Sequence, residues 1–263
     1  MYIDCSKKYY SRKGEEFKIT GYVTDDKSDE VIVTYTLNGE GNYDILKKSE
    51  LDEFLKRQVV NKRKNFIREH NIKHIFHFTD IDNLDSILEN GILSKNKLIE
   101  SNINFIETDS NRYDDMLDYV NTSISYFNYK ILYELTMSGR KMVLLTISNN
   151  PLMKEDTLFS NKNAASSDAI ISNDIEALYN GNRIYTNYNG EKLRLNSRYP
   201  TNPSAEALIK DKIEEDEIVS VTSLQNIDSK DKDKIKSLTR NVGVPYLKSY
   251  AFMPRCDWRK WIW

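Results

Sequence analysis

Residues 75–93, reading IFHFTDIDNLDSILENGIL, leave the chain few ways to fold. Ile75, Phe76 and Phe78 favour an extended backbone. Asp82 is the expected helix cap, and Asp85 places negative charge on the first turn. Leu84, Ile87 and Leu88 then share one helical face, and Asn90-Gly91 supplies the left-handed residue that stops a helix. The stretch therefore predicts a strand, a tight turn, a short helix and a second turn. His77 and Thr79 fall at the strand end, facing a helix N-terminus whose backbone N–H groups can take a polar ligand. From these residues alone, an ordinary strand–helix unit with a partly buried histidine is the simpler reading.

Upstream, residues 18–23 and 31–37 alternate as strands around a polar turn. The turn Asn38-Gly39-Glu40-Gly41-Asn42 leads to a third strand at 43–47, and the three form a small meander. A helix follows over residues 50–70, with Leu51, Phe54, Leu55, Val59 and Phe66 as its apolar positions. It is locally basic through Lys56, Arg57, Lys62, Arg63, Lys64 and Arg68. Such a run is a solvated face or a phosphate-contacting surface. The expected division is a small β-rich module plus basic helix over residues 1–70 and a main domain over 71–263.

Downstream, strands are expected at 103–107, 118–125, 141–147, 204–209 and 217–222, and helices at 129–137 and 228–239. Residues 179–203, rich in Asn, Gly, Arg and Tyr, read largely as loop. In the tail, Arg255, Trp258, Arg259, Lys260, Trp261 and Trp263 suit either base stacking or a terminal strand packed on the core.

A formal charge of -2 and a pI near 6.0 exclude a global basic field, so any nucleic-acid contact must be local. Cys5 and Cys256 form neither metal spacing nor a disulfide framework, which fits a reducing cytosol. No apolar run approaches the ~20 residues of a membrane span, and the N-terminus has no signal-peptide core. A cytoplasmic protein with no membrane association is expected. There is no phosphate-cradling glycine loop, no metal-ligand cluster and no nucleophile elbow. What remains is a scattered polar set: His77, Thr79, Arg112, Ser123, Ser125 and Glu206.

Taken in order, several segments resemble the DarT-type DNA ADP-ribosyltransferases, toxins of bacterial toxin–antitoxin and phage-defence systems. They are His77-Phe78-Thr79 with Asn83-Leu84, Ser86-Ile87-Leu88 and Gly91-Ile92-Leu93; Asn111-Arg112; Tyr119-Val120; Ser123-Ile124; Phe127 to Lys130; Phe159 to Ser166; and Tyr199 to Glu206. The resemblance spans about residues 72–222. It implies an α+β fold: an ADP-ribosyltransferase-like mixed sheet core with flanking helices, binding NAD+ as ADP-ribose donor without a metal. It assigns Glu206 and Arg112 to catalysis. It assigns His77, Phe78, Thr79, Asn83, Gly91, Leu93, Tyr119 and Ser123 to the NAD+ cleft, His77 and Thr79 at its nicotinamide side and adjoining ribose. Implied partners are nucleic acid (single-stranded DNA first, RNA possible) and an antitoxin.

Two positions depart from the family pattern beside the expected chemistry. Asp80 stands where members often carry a second His after the Thr, and Ser204 where many carry Gln. Residues 1–70 fall outside the resemblance. An acceptor in RNA or protein, and a non-catalytic nucleic-acid-binding module on the same scaffold, stay open on sequence grounds.

Overall fold

Alternating apolar and polar residues shape the first unit. In the computed structural model, which describes residues 3, 5–10, 16–24, 28–107, 116–186, 190–224 and 227–250, they build a four-stranded antiparallel sheet. Its strands, in chain and spatial order, are β1 (Lys8–Tyr10), β2 (Glu16–Thr24), β3 (Glu30–Leu37) and β4 (Glu40–Lys47). Ile19, Val31 and Val33 face inward and close a core with Ile3, Tyr9 and Leu51. Helix α1 (Lys48–Glu69) follows, its first turn anchored by Glu50, whose carboxylate accepts from the Lys47 N–H at 2.9 Å. The chain divides into two compact units, Met1–Lys64 and Asn65–Trp263, so the division falls inside α1.

The second unit is built on an eight-stranded mixed sheet. Its elements in chain order are β5 (His74–Asp80), α2 (Leu84–Asn90), β6 (Ile92–Leu93), α3 (Lys95–Glu100), β7 (Tyr119–Ile124), α4 (Tyr129–Met137), β8 (Met142–Ser148), β9 (Leu158–Ser160) and β10 (Ile171–Ser172). After them come β11 (Ile184–Thr186), β12 (Lys192–Arg194), β13 (Glu206–Lys210), β14 (Lys212–Ile213), β15 (Ile218–Leu224), α5 (Ser229–Asn241) and β16 (Tyr246–Tyr250). The sheet order is β10-β9-β13-β7-β5-β8-β15-β16. Only β15 and β16 run parallel; the other neighbours are antiparallel.

The two-residue period of the central strands sorts their side chains between two layers. Ile75, Val143, Leu145 and Val221 meet Leu84, Ile87 and Leu88 of α2 and Ile235 of α5. Met142, Leu144 and Leu224, with partly buried Phe76 and Phe78, meet Tyr129 and Leu132 of α4. Polar loops thus surround a sheet buried on both faces.

Several sequence expectations are corrected. Residues 103–107 form no strand; their backbone partner is a side chain, described below. Residues 179–203 contain the short hairpin β11–β12 rather than loop alone. Asp80, not Asp82, caps the turn after β5: its carboxylate accepts from the Asp82 N–H at 3.1 Å. Residues 206–210 are strand, with Ser204 in the preceding turn, because two neighbouring strands supply ladder partners that outweigh local helix propensity. Arg112 and the 251–263 tail with its three tryptophans lie outside the described residues.

Candidate active site

The cleft begins where a ladder stops. Strands β5 and β7 pair only at Ile75↔Ile124 and Phe76↔Ser123, and beyond these they part. A cavity of about 210 Å³ opens in the gap. Backbone groups alternate sides along a strand. The His74 carbonyl faces β7, accepting from the Ser125 N–H, so Phe76 and Phe78 face the same way. A continued ladder would match Phe78 with Asn121. Instead the His77 ring bridges the split, its Nδ1 3.0 Å from the Asn121 carbonyl. A carbonyl only accepts, so Nδ1 carries the proton in this contact. The peptide N–H and C=O of Phe78 thus form a strand edge at the cleft, a donor and acceptor pair that matches a carboxamide.

The same cleft is lined by Glu206, the first residue of β13 and only 8 % exposed. Its register partners are Ser123 on β7 and Ser160 on β9. The carboxylate oxygen Oε2 accepts from Asn121 Nδ2 at 3.2 Å and from the Ala164 N–H at 2.9 Å. Asn121 therefore fastens both sides of the cleft, with its carbonyl to His77 and its amide to Glu206. Ser123, on the same strand face, has its hydroxyl committed to the Asn128 N–H at 3.1 Å, which fixes the entry to α4.

One wall is a strap, residues 103–107, tied down by side chains. Asn83 Oδ1 accepts from the Ile106 N–H at 2.7 Å, and Nδ2 donates to the Ile106 carbonyl at 2.8 Å. That pairing reproduces a step of β ladder with a side chain as the second strand. Nδ2 also donates to Thr79 Oγ1 at 3.0 Å, so the strap is fixed to β5. Arg140 donates to the Glu107 carbonyl at 2.8 Å, and Lys95 pairs with the Glu107 carboxylate. Gly91 forms the floor at φ 76°. An added Cβ there would lie 2.3 Å from the Ile213 carbonyl oxygen, so only glycine admits this approach of β14.

The approach to Glu206 is held by Arg183. Its guanidinium lies 4.6 Å from the Tyr179 ring centroid and donates to Thr201 Oγ1, the Asn196 carbonyl and the Tyr199 carbonyl. Burial lowers the Arg183 pKa and raises that of the Tyr179 phenol.

Nine of the ten sequence-selected residues line this one cleft: His77, Phe78, Thr79, Asn83, Gly91, Leu93, Tyr119, Ser123 and Glu206. Arg112, the tenth, is outside the described residues. Asp80 is buried at the turn as a cap and is absent from the cleft wall. Ser125 is also absent from it, with a left-handed backbone (φ 58°) and a buried hydroxyl that makes no hydrogen bond. Asn121, Lys95 and the strap were not selected. For Asn121 a signal existed: the strand period places it on one face with Tyr119 and Ser123. Among the described residues no group of His, Cys, Asp and Glu is placed to hold a metal ion.

Residues 76–258 match the family described as ssDNA thymidine ADP-ribosyltransferase, DarT, well over half of the chain. The chain belongs to the DarT family. That family is described as one of ADP-ribosyltransferases. A structure of Thermosipho africanus DarTG in complex with ADP-ribose shares the fold, with TM-score 0.50 and 20% identity, covering 67% of this chain and 50% of that one. This chain thus spans about half the length of that protein. Thermus sp. 2.9 DarT in complex with ADP-ribosylated ssDNA aligns at TM-score 0.48 and 14% identity, over 72% of this chain and 96% of that one. The same protein in complex with NAD+ aligns at TM-score 0.46 and 14% identity, over 72% and 97%. A search of curated proteins found no match. The DarT match begins at Phe76 and leaves the first unit outside it.

Proposed function

We propose that this DarT-family chain transfers ADP-ribose from NAD+ to a base of single-stranded DNA, as the toxin of a toxin–antitoxin or phage-defence pair. The observation that carries the reading is the buried Glu206 carboxylate, held by Asn121 and Ala164 in the same cleft as the open edge of β5. The nicotinamide carboxamide pairs with the Phe78 peptide groups, and His77 and Thr79 border the ring and its ribose. Phe78, Leu93 and Tyr119 supply apolar surface around it, while Asn83, Gly91 and Ser123 hold the walls in place. As the glycosidic bond breaks, nicotinamide leaves with the electron pair and positive charge grows on the ribose. Glu206 stabilises that charge in a site that needs little reorganisation. The base nitrogen then bonds to the anomeric carbon and gives up its proton to solvent. Arg112 orients the base or balances charge, since a guanidinium stays protonated and makes a poor base. Thymidine, the base in the family description, is the first acceptor to try.

The test is incubation with labelled NAD+ and, separately, single-stranded DNA, duplex DNA, RNA or cell lysate, with mass spectrometry of modified nucleotides. Label is expected in single-stranded DNA. Label confined to RNA or protein would overturn the acceptor, and no label anywhere would overturn the transfer. Glu206→Gln is expected to lower transfer by at least about 100-fold with NAD+ binding retained, and to abolish growth arrest on expression. Growth arrest that survives Glu206→Gln would favour a binding role without catalysis.

A further inference from the structure

The first unit, which the DarT match does not reach, carries a groove of its own. Ile19 and Val33 of the sheet and Leu51 of α1 are buried, but Phe17, Tyr35 and Phe54 stay partly open around a cavity of about 540 Å³. That volume is within the ~300–1,000 Å³ usual for ligand pockets. The three rings form one cluster, Phe17 lying 5.4 Å from Tyr35 and 5.9 Å from Phe54. The groove also has Asp44, Glu50 and Glu53 in its lining, with Arg57 as the one countercharge among its residues. Tyr35 donates to Asp44 at 3.1 Å, which fixes that carboxylate at the hydroxyl end of its ring. The groove is apolar within and acidic at its mouth.

Asp44 and Leu46 belong to β4, an edge strand of its sheet among the described residues. All eight residues of β4 pair with β3 in unbroken register, so no bulge twists the free edge away. The outer face there is apolar: Tyr43 is 69% exposed and Ile45 57%, beside Ile32 and Val23 in the same cross-strand rows. A long, regular, exposed edge of this kind is a template for another strand. The inward charge of Asp44 disfavours any strand that brings no cation to meet it.

We propose that the β4 edge and its groove dock an extended peptide segment in which basic and apolar residues alternate. Paired with β4, such a segment lays its lysine or arginine stems over Leu46 and Phe54, with the charged ends at Asp44, Glu50 and Glu53. Its apolar residues extend the Tyr43–Ile45 face. The same carboxylates repel nucleic-acid phosphates.

The experiment is calorimetry on the full chain with an acetylated lysine–valine alternating octapeptide and its glutamate–valine counterpart, alongside amide exchange of residues 40–47. The lysine peptide is expected to bind, slow exchange along β4, and weaken with salt. Asp44→Asn with Glu53→Gln is expected to weaken it at least tenfold while the thermal melt is unchanged; both side chains are exposed, and asparagine keeps an acceptor for the Tyr35 hydroxyl. Absence of binding, equal binding of the glutamate peptide, or no loss in the double variant would overturn the proposal. So would protection of β4 by single-stranded DNA, or by self-association seen in sedimentation.

Discussion

Glu206, Asn121 and His77 act as one connected group, and each was legible in the sequence to a different degree. Glu206 and His77 stood out through the ordered segments that resemble the DarT family. Asn121 did not, because its role is a pair of contacts, one through its backbone carbonyl, and a backbone acceptor leaves no mark on residue type. Gly91 was legible as a helix stop, but the reason no other residue serves is three-dimensional. Its positive φ coincides with the 2.3 Å approach that a Cβ would make to the Ile213 carbonyl oxygen. Gly91→Ala is expected to cost about 1–3 kcal/mol, since both backbone strain and the β6–β14 contact are affected. Urea denaturation of the two proteins measures it. A loss below ~0.5 kcal/mol would mean that β14 moves away freely.

At the scale of elements, the central strands were readable because burial on both faces demands runs such as Val143-Leu144-Leu145. The strap at 103–107 has strand composition, but among the described residues no strand pairs with it; Asn83 plays that part. Asn83→Ala is expected to free the strap and raise KM for the ADP-ribose donor about tenfold, more than it lowers kcat. Asn83→Asp, which keeps the acceptor for the Ile106 N–H, is expected to fall between; steady-state kinetics decide. A second prediction concerns α5. Asp228 caps it by accepting from the Asp231 N–H at 2.9 Å. That bond and Lys141 beside it hold the Asp228 carboxyl below its ordinary value of 3.8. A depressed folded pKa contributes stability that is present above the unfolded value and lost as pH falls through the folded one. The N-terminus of α5 is therefore expected to loosen below about pH 4, seen as faster amide exchange there. Asp228→Asn removes that pH dependence.

For the molecule as a whole, the sequence indicated a small β-rich front and a larger mixed unit, and it placed the change near residue 70. Periodicity cannot show a division inside a continuous helix, and α1 runs through the one at Lys64 and Asn65. Among the described residues no helix is long and apolar enough to cross a membrane. The large sheet has a further property, set by the ladder that halts after Phe76↔Ser123. Unzipping stops at a fixed fork, so the protein carries an unfinished seam in its most buried layer. On the proposed binding mode, the donor's carboxamide completes the seam at Phe78 and is, while bound, part of the sheet. With NAD+ present, exchange of the Phe78 amide is expected to slow by an order of magnitude or more and the melting temperature to rise. Free nicotinamide is expected to do the same more weakly. On the same binding mode, departure of the leaving group is expected to reopen the seam, so that each turnover undoes one rung of the fold that held the substrate.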